Sequence, residues 1–305
     1  MEQNVCIYMS QLAEKMRKAG KDSRADLYRV LYNRLHRFPK GGTLTFGRVT
    51  AAFVDDFAQS LRDEGLAVNT VNSYVGGFRA LYNRAGRTGL FEIPEKSPFA
   101  HLRLRREITV KRALSSQAVC ELAQMQPSAS TGLRRSLDYF LFCFMACGMP
   151  FVDLAHLTRD NIVGKDIVYH RQKTGVRVQV SITPGMRMII KRYARKDSRY
   201  LFPILPEDGG SRSYYKYQLV RYNADLKIIG NYLRHPVALT SYVVRHTWAT
   251  EALRQNTPIA VISQALGHTS EQSTRFYLDS LDQSIMKRAN RKITKVVNDL
   301  VTGKA

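Results

Sequence analysis

The side chains with the clearest chemical potential lie between residues 242 and 277. Arg245 stands directly before His246, a Leu-Gly-His sequence ends at His268, and Tyr277 follows nine residues later. Each residue alone has an ordinary structural explanation, because paired or buried titratable groups indicate a functional site only probabilistically. Together they suit one chemistry. Cationic and hydrogen-bonding groups stabilise the charge that develops on a phosphate, and a phenol oxygen can attack phosphorus and form a covalent intermediate.

In so basic a chain, this ordered set resembles the C-terminal active-site box of the tyrosine recombinase (phage integrase) family. That box contains an Arg-His pair, a Leu-Gly-His and a nucleophilic Tyr close behind. The resemblance implies that Tyr277 is the nucleophile, that Arg245 and His268 contact the scissile phosphate, and that His246 is structural. It also implies a 3′-phosphotyrosine intermediate, which conserves the energy of the broken bond, so that a DNA hydroxyl can reverse the step without ATP.

The sequence departs from the family pattern at two positions. The stretch CGMPFVDLAHLTRDNI resembles the family's first box, usually Gly-Leu-Arg followed by a short helix with an acidic residue; Gly148 and Asp153 match it. Pro150, however, stands where the first catalytic Arg is expected. Tyr242 occupies the usual His position, three residues before Arg245, and its phenol can still donate a hydrogen bond to phosphate.

A β-hairpin is predicted between the two boxes. Residues 166–170 and 176–182 read as strands, joined by a turn that contains Gly175. Lys173 in this turn resembles the hairpin Lys of the family, which implies that it is the general acid for the leaving 5′ oxygen. A hairpin Lys by itself would be an ordinary surface residue.

The missing first Arg calls for a substitute, because a charged donor stabilises the transition state substantially. Arg171 is our first candidate, since it lies two residues before Lys173 and would share its strand face by the period-two rule. Arg177 and Arg159 are weaker candidates. The alternative is that Arg171 is an exposed strand residue without a catalytic role.

The chain is strongly basic in both halves. Its 305 residues carry a formal net charge of +22 and suffice for about two domains. Residues 1–112 hold 20 Lys and Arg against 11 Asp and Glu, a net +9, which leaves +13 for the rest. Two basic domains suggest binding around a polyanion; the alternative is a basic protein that merely stays soluble.

The predicted fold is mostly α with a small β-sheet or hairpin in the second domain (α+β). Residues 1–105 form a helical domain that resembles the core-binding domain of the family, residues 106–112 a basic linker, and residues 113–305 a catalytic domain with a C-terminal helix. The residues that we expect to contact DNA phosphates lie on the first domain and the linker: Arg79, Arg103, Arg105, Arg106, Lys111 and Arg112.

Several classes of site are not expected. No P-loop, Rossmann glycine pattern or metal-ligand cluster occurs, so we expect no cofactor and no metal. The most apolar window, residues 137–149, is too short to span a bilayer. The cysteines lack a C-x-x-C spacing and read as reduced core thiols: Cys6, Cys120, Cys143 and Cys147. We therefore expect a cytoplasmic bacterial protein, associated with the nucleoid when bound to DNA.

The C-terminal stretch from residue 285 to residue 300 is amphipathic and predicts a helix. It either packs on its own domain or, as the resemblance implies, docks into a neighbouring protomer. The expected partners are double-stranded DNA with specific, inverted-repeat sites and further copies of the chain, as a tetramer on DNA. An accessory DNA-bending protein is compatible with this arrangement.

The function that best unites these features is site-specific recombination of a mobile element by integration, excision or inversion. A rival is a DNA-binding protein descended from a recombinase and weakened by Pro150 and Tyr242. Another is a nickase like the type IB topoisomerases, which relaxes DNA without exchanging partners.

Overall fold

The computed structural model describes residues 3–39, 41–105, 107, 113–127, 132–272, 274 and 294. The chain divides into two compact units, Met1–Thr109 and Val110–Ala305. The fold class predicted from the sequence, mostly helical with a small antiparallel sheet, is confirmed.

The first unit is helical, and its helices enclose a core of its own. The side chain of Asn4 caps the first helix by accepting from the backbone N–H groups of Cys6 and Ile7, and Thr50 caps the third by accepting from Phe53. Short 3₁₀ turns link the second and third helices. The α-helices among its described residues are α1 (Val5–Lys18), α2 (Asp22–Arg37), α3 (Ala51–Asp63) and α4 (Val68–Arg87).

The second unit packs helices around α6, a largely apolar helix that contacts α8, α9 and α10. Its helix caps follow local chemistry: the hydroxyls of Ser115 and Thr183 accept backbone N–H groups at the starts of α5 and α8. Its helices are α5 (Ser116–Gln124), α6 (Leu133–Met145), α7 (Phe151–Ala155), α8 (Pro184–Tyr193), α9 (Arg212–Asn231), α10 (Val243–Arg254) and α11 (Ile259–Leu266).

The sheet of the second unit has three antiparallel strands in the order β1 (Ile162–Val163), β2 (Asp166–His170) and β3 (Arg177–Ser181). Ile167 pairs with Val180 and Tyr169 with Val178, and all four side chains are buried. Strand β3 also contacts α11. The predicted hairpin is therefore present, and its turn lies at the end of α11.

Three features of the described residues bear on the cysteines, on membrane spans and on metal sites. Cys6 and Cys143 are buried and Cys147 is partly buried, but Cys120 is exposed because it lies on the solvent side of α5, so the prediction of a core thiol is wrong for Cys120. Within the described ranges, no helix is long and apolar enough to cross a membrane. Over the same ranges, no three His, Cys, Asp or Glu side chains are grouped to hold a metal ion.

Candidate active site

The centre of the site is the end of α11. Gly267 adopts a left-handed backbone conformation (φ +62°), and the backbone N–H groups of Gly267 and His268 donate to carbonyls of the last turn. A Cβ on Gly267 would lie 2.7 Å from Cγ2 of Val178 and 2.9 Å from Cγ of Arg171. Glycine is therefore required here both by the turn and by the close approach of the hairpin.

Arg245 reaches this turn from the first turns of α10. Its side chain is buried, with Nη2 donating to the carbonyl oxygen of Leu266 at 2.5 Å and Nη1 to that of Gly148 at 3.2 Å. Gly148 has φ +68°, and a Cβ there would lie 2.9 Å from Cα of Arg245. The Gly of the first box thus lets that box pack directly against the Arg of the second.

Arg171 reaches the same turn from the hairpin. It is only 6% exposed, its Nη1 donates to the Leu266 carbonyl that also accepts from Arg245, and its Nε lies 2.6 Å from Oδ2 of Asp153. This last contact is a close ion pair rather than a directed hydrogen bond, because Nε and Oδ2 do not have hydrogen-bond geometry. One backbone carbonyl therefore holds two guanidinium groups side by side.

Asp153, the acidic residue of the first box, anchors the turn of the hairpin. Its Oδ1 accepts the backbone N–H of Gln172 at 2.8 Å, in addition to the ion pair with Arg171. Burial raises the pKa of the Asp153 carboxyl, while the Gln172 N–H, Arg171 and Arg245 act in the opposite direction. A buried carboxylate needs such partners, so Arg171 and Asp153 depend on one another.

His268 follows Gly267 and is half-buried beside both arginines. Burial first, and then the charges of Arg245, Arg171 and Lys173, lower the pKa of its imidazole to about 4, so the ring is neutral at neutral pH. Its Nδ1 lies 2.7 Å from Oγ1 of Thr274. Arg245 of the second box and Arg171 and Lys173 of the hairpin therefore all lie close enough to the ring to act on its charge.

Lys173 lies in the hairpin turn and is exposed. The next residue, Thr174, has its hydroxyl 3.4 Å from the carbonyl oxygen of Gly267, a contact that holds the turn against the end of α11. Arg171 and Lys173 do not share a strand face, so that prediction is wrong. Strand β2 ends at His170, so both residues belong to the turn, where Arg171 points inward and Lys173 outward.

The other two candidates for the missing Arg lie elsewhere. Arg159 donates to the backbone carbonyls of Arg195 and Ser198, and Arg177 is exposed on β3 beside Gln179. Pro150 occupies the N-cap position of α7, where it contributes no side-chain donor. Of the three candidates, the site contains only Arg171.

Tyr242 is at the N-cap of α10 and is 58% exposed, with its ring centroid 4.8 Å from that of His246 in an edge-to-face arrangement. It thus lies three residues before Arg245 on the surface rather than in the buried cluster. Tyr277 lies outside the described residues, and so does the predicted C-terminal helix, residues 285–300, apart from Thr294, which is helical.

The expected DNA contacts on the first unit are exposed. Arg79 borders a groove of about 690 Å³ between α2 and α4, which Arg24, Arg84 and Arg87 also line. Arg103 and Arg105 are exposed, whereas Arg106, Lys111 and Arg112 lie outside the described residues.

The start of the basic segment after the first domain is fastened to α4. Asn69 exchanges hydrogen bonds with the backbone of Glu107, at 2.8 and 3.1 Å, and the side chain of Asn72 donates to the carbonyl of Arg105. The exposed arginines 103 and 105 are therefore presented by the first unit itself.

Sequence reasoning missed two contributors to the site. The carbonyl of Leu266 belongs to the backbone and carries no signal in residue type. Thr274 is 0% exposed and contacts His268, but a Thr three residues before a Tyr has nothing distinctive about it in a single sequence.

Both units match models of known protein families. Residues 4–101 match the model of the phage integrase SAM-like domain, and residues 114–284 match that of the phage integrase family. A protein of Sinorhizobium fredii named as an integrase/recombinase, y4rC, is 24% identical over 277 residues, which covers 85% of this chain and 80% of that protein.

Solved structures share the fold at low sequence identity. The Tn1549 transposon integrase, in complex with transposon right end DNA, matches with a TM-score of 0.66 at 15% identity, covering 97% of this chain and 100% of that one. The lambda integrase, solved as a tetramer bound to a Holliday junction, matches with a TM-score of 0.63 at 14% identity, covering 90% and 77% of the two chains.

Proposed function

This chain belongs to the phage integrase family of tyrosine-type site-specific recombinases, and on that premise we propose that it cuts and rejoins DNA through a covalent 3′-phosphotyrosine intermediate. The observation that carries the proposal is the convergence of Arg171, Arg245 and His268 at the end of α11. Two guanidinium groups and a neutral imidazole, all partly or wholly buried, form a site suited to a phosphate that gains negative charge.

Such a site can supply much of the required rate enhancement. Donors that are held in place before the reaction stabilise the transition state without reorganising, and each is worth roughly 2.7–4 kcal/mol. Arg245 is held by two backbone carbonyls, and Arg171 by one carbonyl and one carboxylate. Their orientation is therefore set by the fold rather than by the substrate.

We assign to Arg171 the role of the Arg that Pro150 replaces. The acidic residue of the first box, Asp153, is present and contacts the guanidinium of Arg171 at 2.6 Å. The hairpin thus brings the guanidinium group of Arg171 to the carboxylate of Asp153, which follows Pro150, the position where the Arg is missing. In this assignment Asp153 is a positioning residue, and Arg171 would contact the phosphate.

The reaction then proceeds as a reversible exchange at phosphorus. The phenol of Tyr277 loses its proton to water as its oxygen attacks the scissile phosphate, the bond from phosphorus to the 5′ oxygen breaks, and Lys173 gives a proton to that oxygen. The 5′ hydroxyl of a second strand reverses the step and releases Tyr277. Tyr242, exposed near the site, would donate a hydrogen bond to the phosphate in place of the usual His.

Double-stranded DNA with inverted-repeat sites is the proposed substrate. Arg79, Arg103 and Arg105 are exposed on the first unit and suit contacts with phosphates, and we assign the same role to Arg106, Lys111 and Arg112. Because the related lambda integrase has been solved as a tetramer on a Holliday junction, we propose that this chain also forms a tetramer on DNA, through residues 285–300. Its proposed location is the cytoplasm, at the nucleoid.

A nicked suicide duplex, built from the DNA that flanks the gene, tests the proposal. Because of the nick, the short fragment that carries the new 5′ hydroxyl diffuses away and cannot reverse the cleavage. A covalent protein–DNA adduct therefore accumulates and is seen on a denaturing gel. The full chain should form the adduct and join two different sites, whereas Tyr277→Phe should bind the duplex and form none. Binding without an adduct would instead identify a recombinase-derived binding protein. An adduct that forms without joining of two sites would identify a topoisomerase-like nickase.

A further inference from the structure

Thr274 makes a buried contact with His268. Its side chain is 0% exposed, and its hydroxyl oxygen lies 2.7 Å from Nδ1 of His268. At this distance the two atoms share a hydrogen bond, in which either can be the donor. The direction of that bond decides which ring nitrogen of His268 carries the proton.

We propose that Thr274 is a positioning residue that donates its hydroxyl hydrogen to Nδ1 of His268 and so fixes the ring proton on Nε2, the atom that would then donate to a phosphate oxygen. This inference rests on the proposed function, because it specifies how His268 contacts the scissile phosphate.

The tautomer matters because His268 is neutral. Burial lowers the pKa of the ring, and the charges of Arg245 from α10 and of Arg171 and Lys173 from the hairpin lower it further, so an imidazolium is disfavoured. A neutral imidazole has a single N–H. With the proton on Nε2, the ring donates to the phosphate. With the proton on Nδ1, Thr274 would become the acceptor and the lone pair of Nε2 would face an anion.

The hydrogen-bond partner of the other ring nitrogen generally sets the tautomer of a functional His. At His268 a buried hydroxyl takes that position, and it can donate without bringing a charge. A carboxylate there would favour the imidazolium, which the three neighbouring cations oppose. A hydroxyl is thus the partner that allows a neutral ring between cations to remain a donor.

Substitutions at Thr274 test the proposal in the full-length protein with the nicked suicide duplex. Thr274→Val keeps the shape and removes the donor, whereas Thr274→Ser keeps the donor. At matched DNA binding, Thr274→Val should form the adduct roughly 10- to 100-fold more slowly, by analogy with the partners that orient metal-ligating His residues, and Thr274→Ser should stay close to the parent. Equal rates for Thr274→Val and the parent would overturn the proposal.

A double-mutant cycle separates positioning from a general packing effect. His268→Gln places an amide N–H near the position of Nε2, and this donor has no tautomer to fix. Adding Thr274→Val to His268→Gln should therefore change the adduct rate little, and the two substitutions should be strongly non-additive. If Thr274→Val slows both backgrounds equally, its effect is structural and the proposal is wrong.

The tautomer itself can be read without any DNA. In protein labelled with ¹⁵N-histidine, the long-range ¹H–¹⁵N spectrum distinguishes Nε2–H from Nδ1–H, and the His268→Gln variant identifies the signal. The parent should show Nε2–H, and an Nδ1–H signal would contradict the proposal even if Thr274→Val failed to fold. A parent with the Nε2–H signal but no adduct would instead count against the proposed function alone.

Discussion

Five of the described arginines occur in two contrasting settings. Arg171 and Arg245 are 6% and 4% exposed, and backbone carbonyls and a carboxylate hold their guanidinium groups. Arg79, Arg103 and Arg105 are exposed on the first unit. A buried and oriented cation can discriminate between a ground state and a transition state, whereas an exposed one attracts any nearby phosphate. The first kind should control the rate of cleavage and the second kind the affinity for DNA.

The largest effect that this contrast predicts is on affinity and comes from salt. If roughly six to ten exposed cations neutralise phosphates, the affinity for DNA should fall roughly 10³- to 10⁵-fold between about 50 and 200 mM salt. Titration of a labelled duplex at several salt concentrations measures the slope. Arg79→Ala should make the slope shallower by about one unit, whereas Arg171→Ala should leave it unchanged. A flat salt dependence would refute the assignment of affinity to exposed charge.

Next in size is the effect of Arg171→Ala on cleavage. The loss of one oriented donor should slow formation of the adduct roughly 10²- to 10³-fold, with little change in affinity. Arg177→Ala is the matched control, because Arg177 is an exposed Arg of the same hairpin. Arg171→Lys should also be slow, since an ammonium group cannot contact both the carboxylate and the carbonyl as a planar guanidinium does.

If Arg171→Ala forms the adduct as fast as the parent, the buried pair with Asp153 is structural only. Free energies of unfolding should be measured alongside, because removal of Arg171 leaves a buried carboxylate without its ion-pair partner. The cleavage rates are compared at a temperature where both variants are folded.

A smaller effect is expected from Gly267→Ala, which displaces Arg171 without removing it. Ala at a φ of +62° costs about 1–2 kcal/mol, and its Cβ would also meet the side chain of Arg171. Gly164 has the same φ with nothing within 4 Å of a Cβ, so Gly164→Ala is the matched control for backbone strain. Both variants should unfold more easily, but only Gly267→Ala should slow cleavage, by roughly 10²-fold for a misplacement of about 1 Å.

The smallest effect is on the pH dependence of stability and concerns His268. Its pKa is about 4 in the folded protein against an ordinary value of 6.5. Between these values the unfolded chain binds the proton and the folded protein does not, so this residue lowers stability as the pH falls from 6.5 towards 4 and has no effect above that window. Urea unfolding at several pH values should show a weaker loss in His268→Gln than in the parent. An equal loss would show that burial and the neighbouring cations do not lower the pKa of the His268 ring.

Some features could be predicted because they are local. Gly267 ends α11 in a left-handed turn, and the alternating apolar residues 167, 169, 178 and 180 form the buried face of the hairpin. The resemblance of residues 242–277 to the active-site box of the family identified Arg245, His268 and Tyr277 as candidates, and their residue types suit phosphoryl transfer. Turn chemistry and periodicity depend on neighbours within a few residues, and a single sequence displays them directly.

Tertiary structure alone decided how the site is held together. Arg171 was a candidate for the wrong reason: its position follows from a turn that leads it inward to Asp153, 18 residues earlier, and to the carbonyl of Leu266, 95 residues later. The contact of Thr274 with His268, like the shared carbonyl, had no signal in residue type. Such contacts depend on how α7, α10, α11 and the hairpin pack, and packing is a property of surfaces that residues distant in sequence build together.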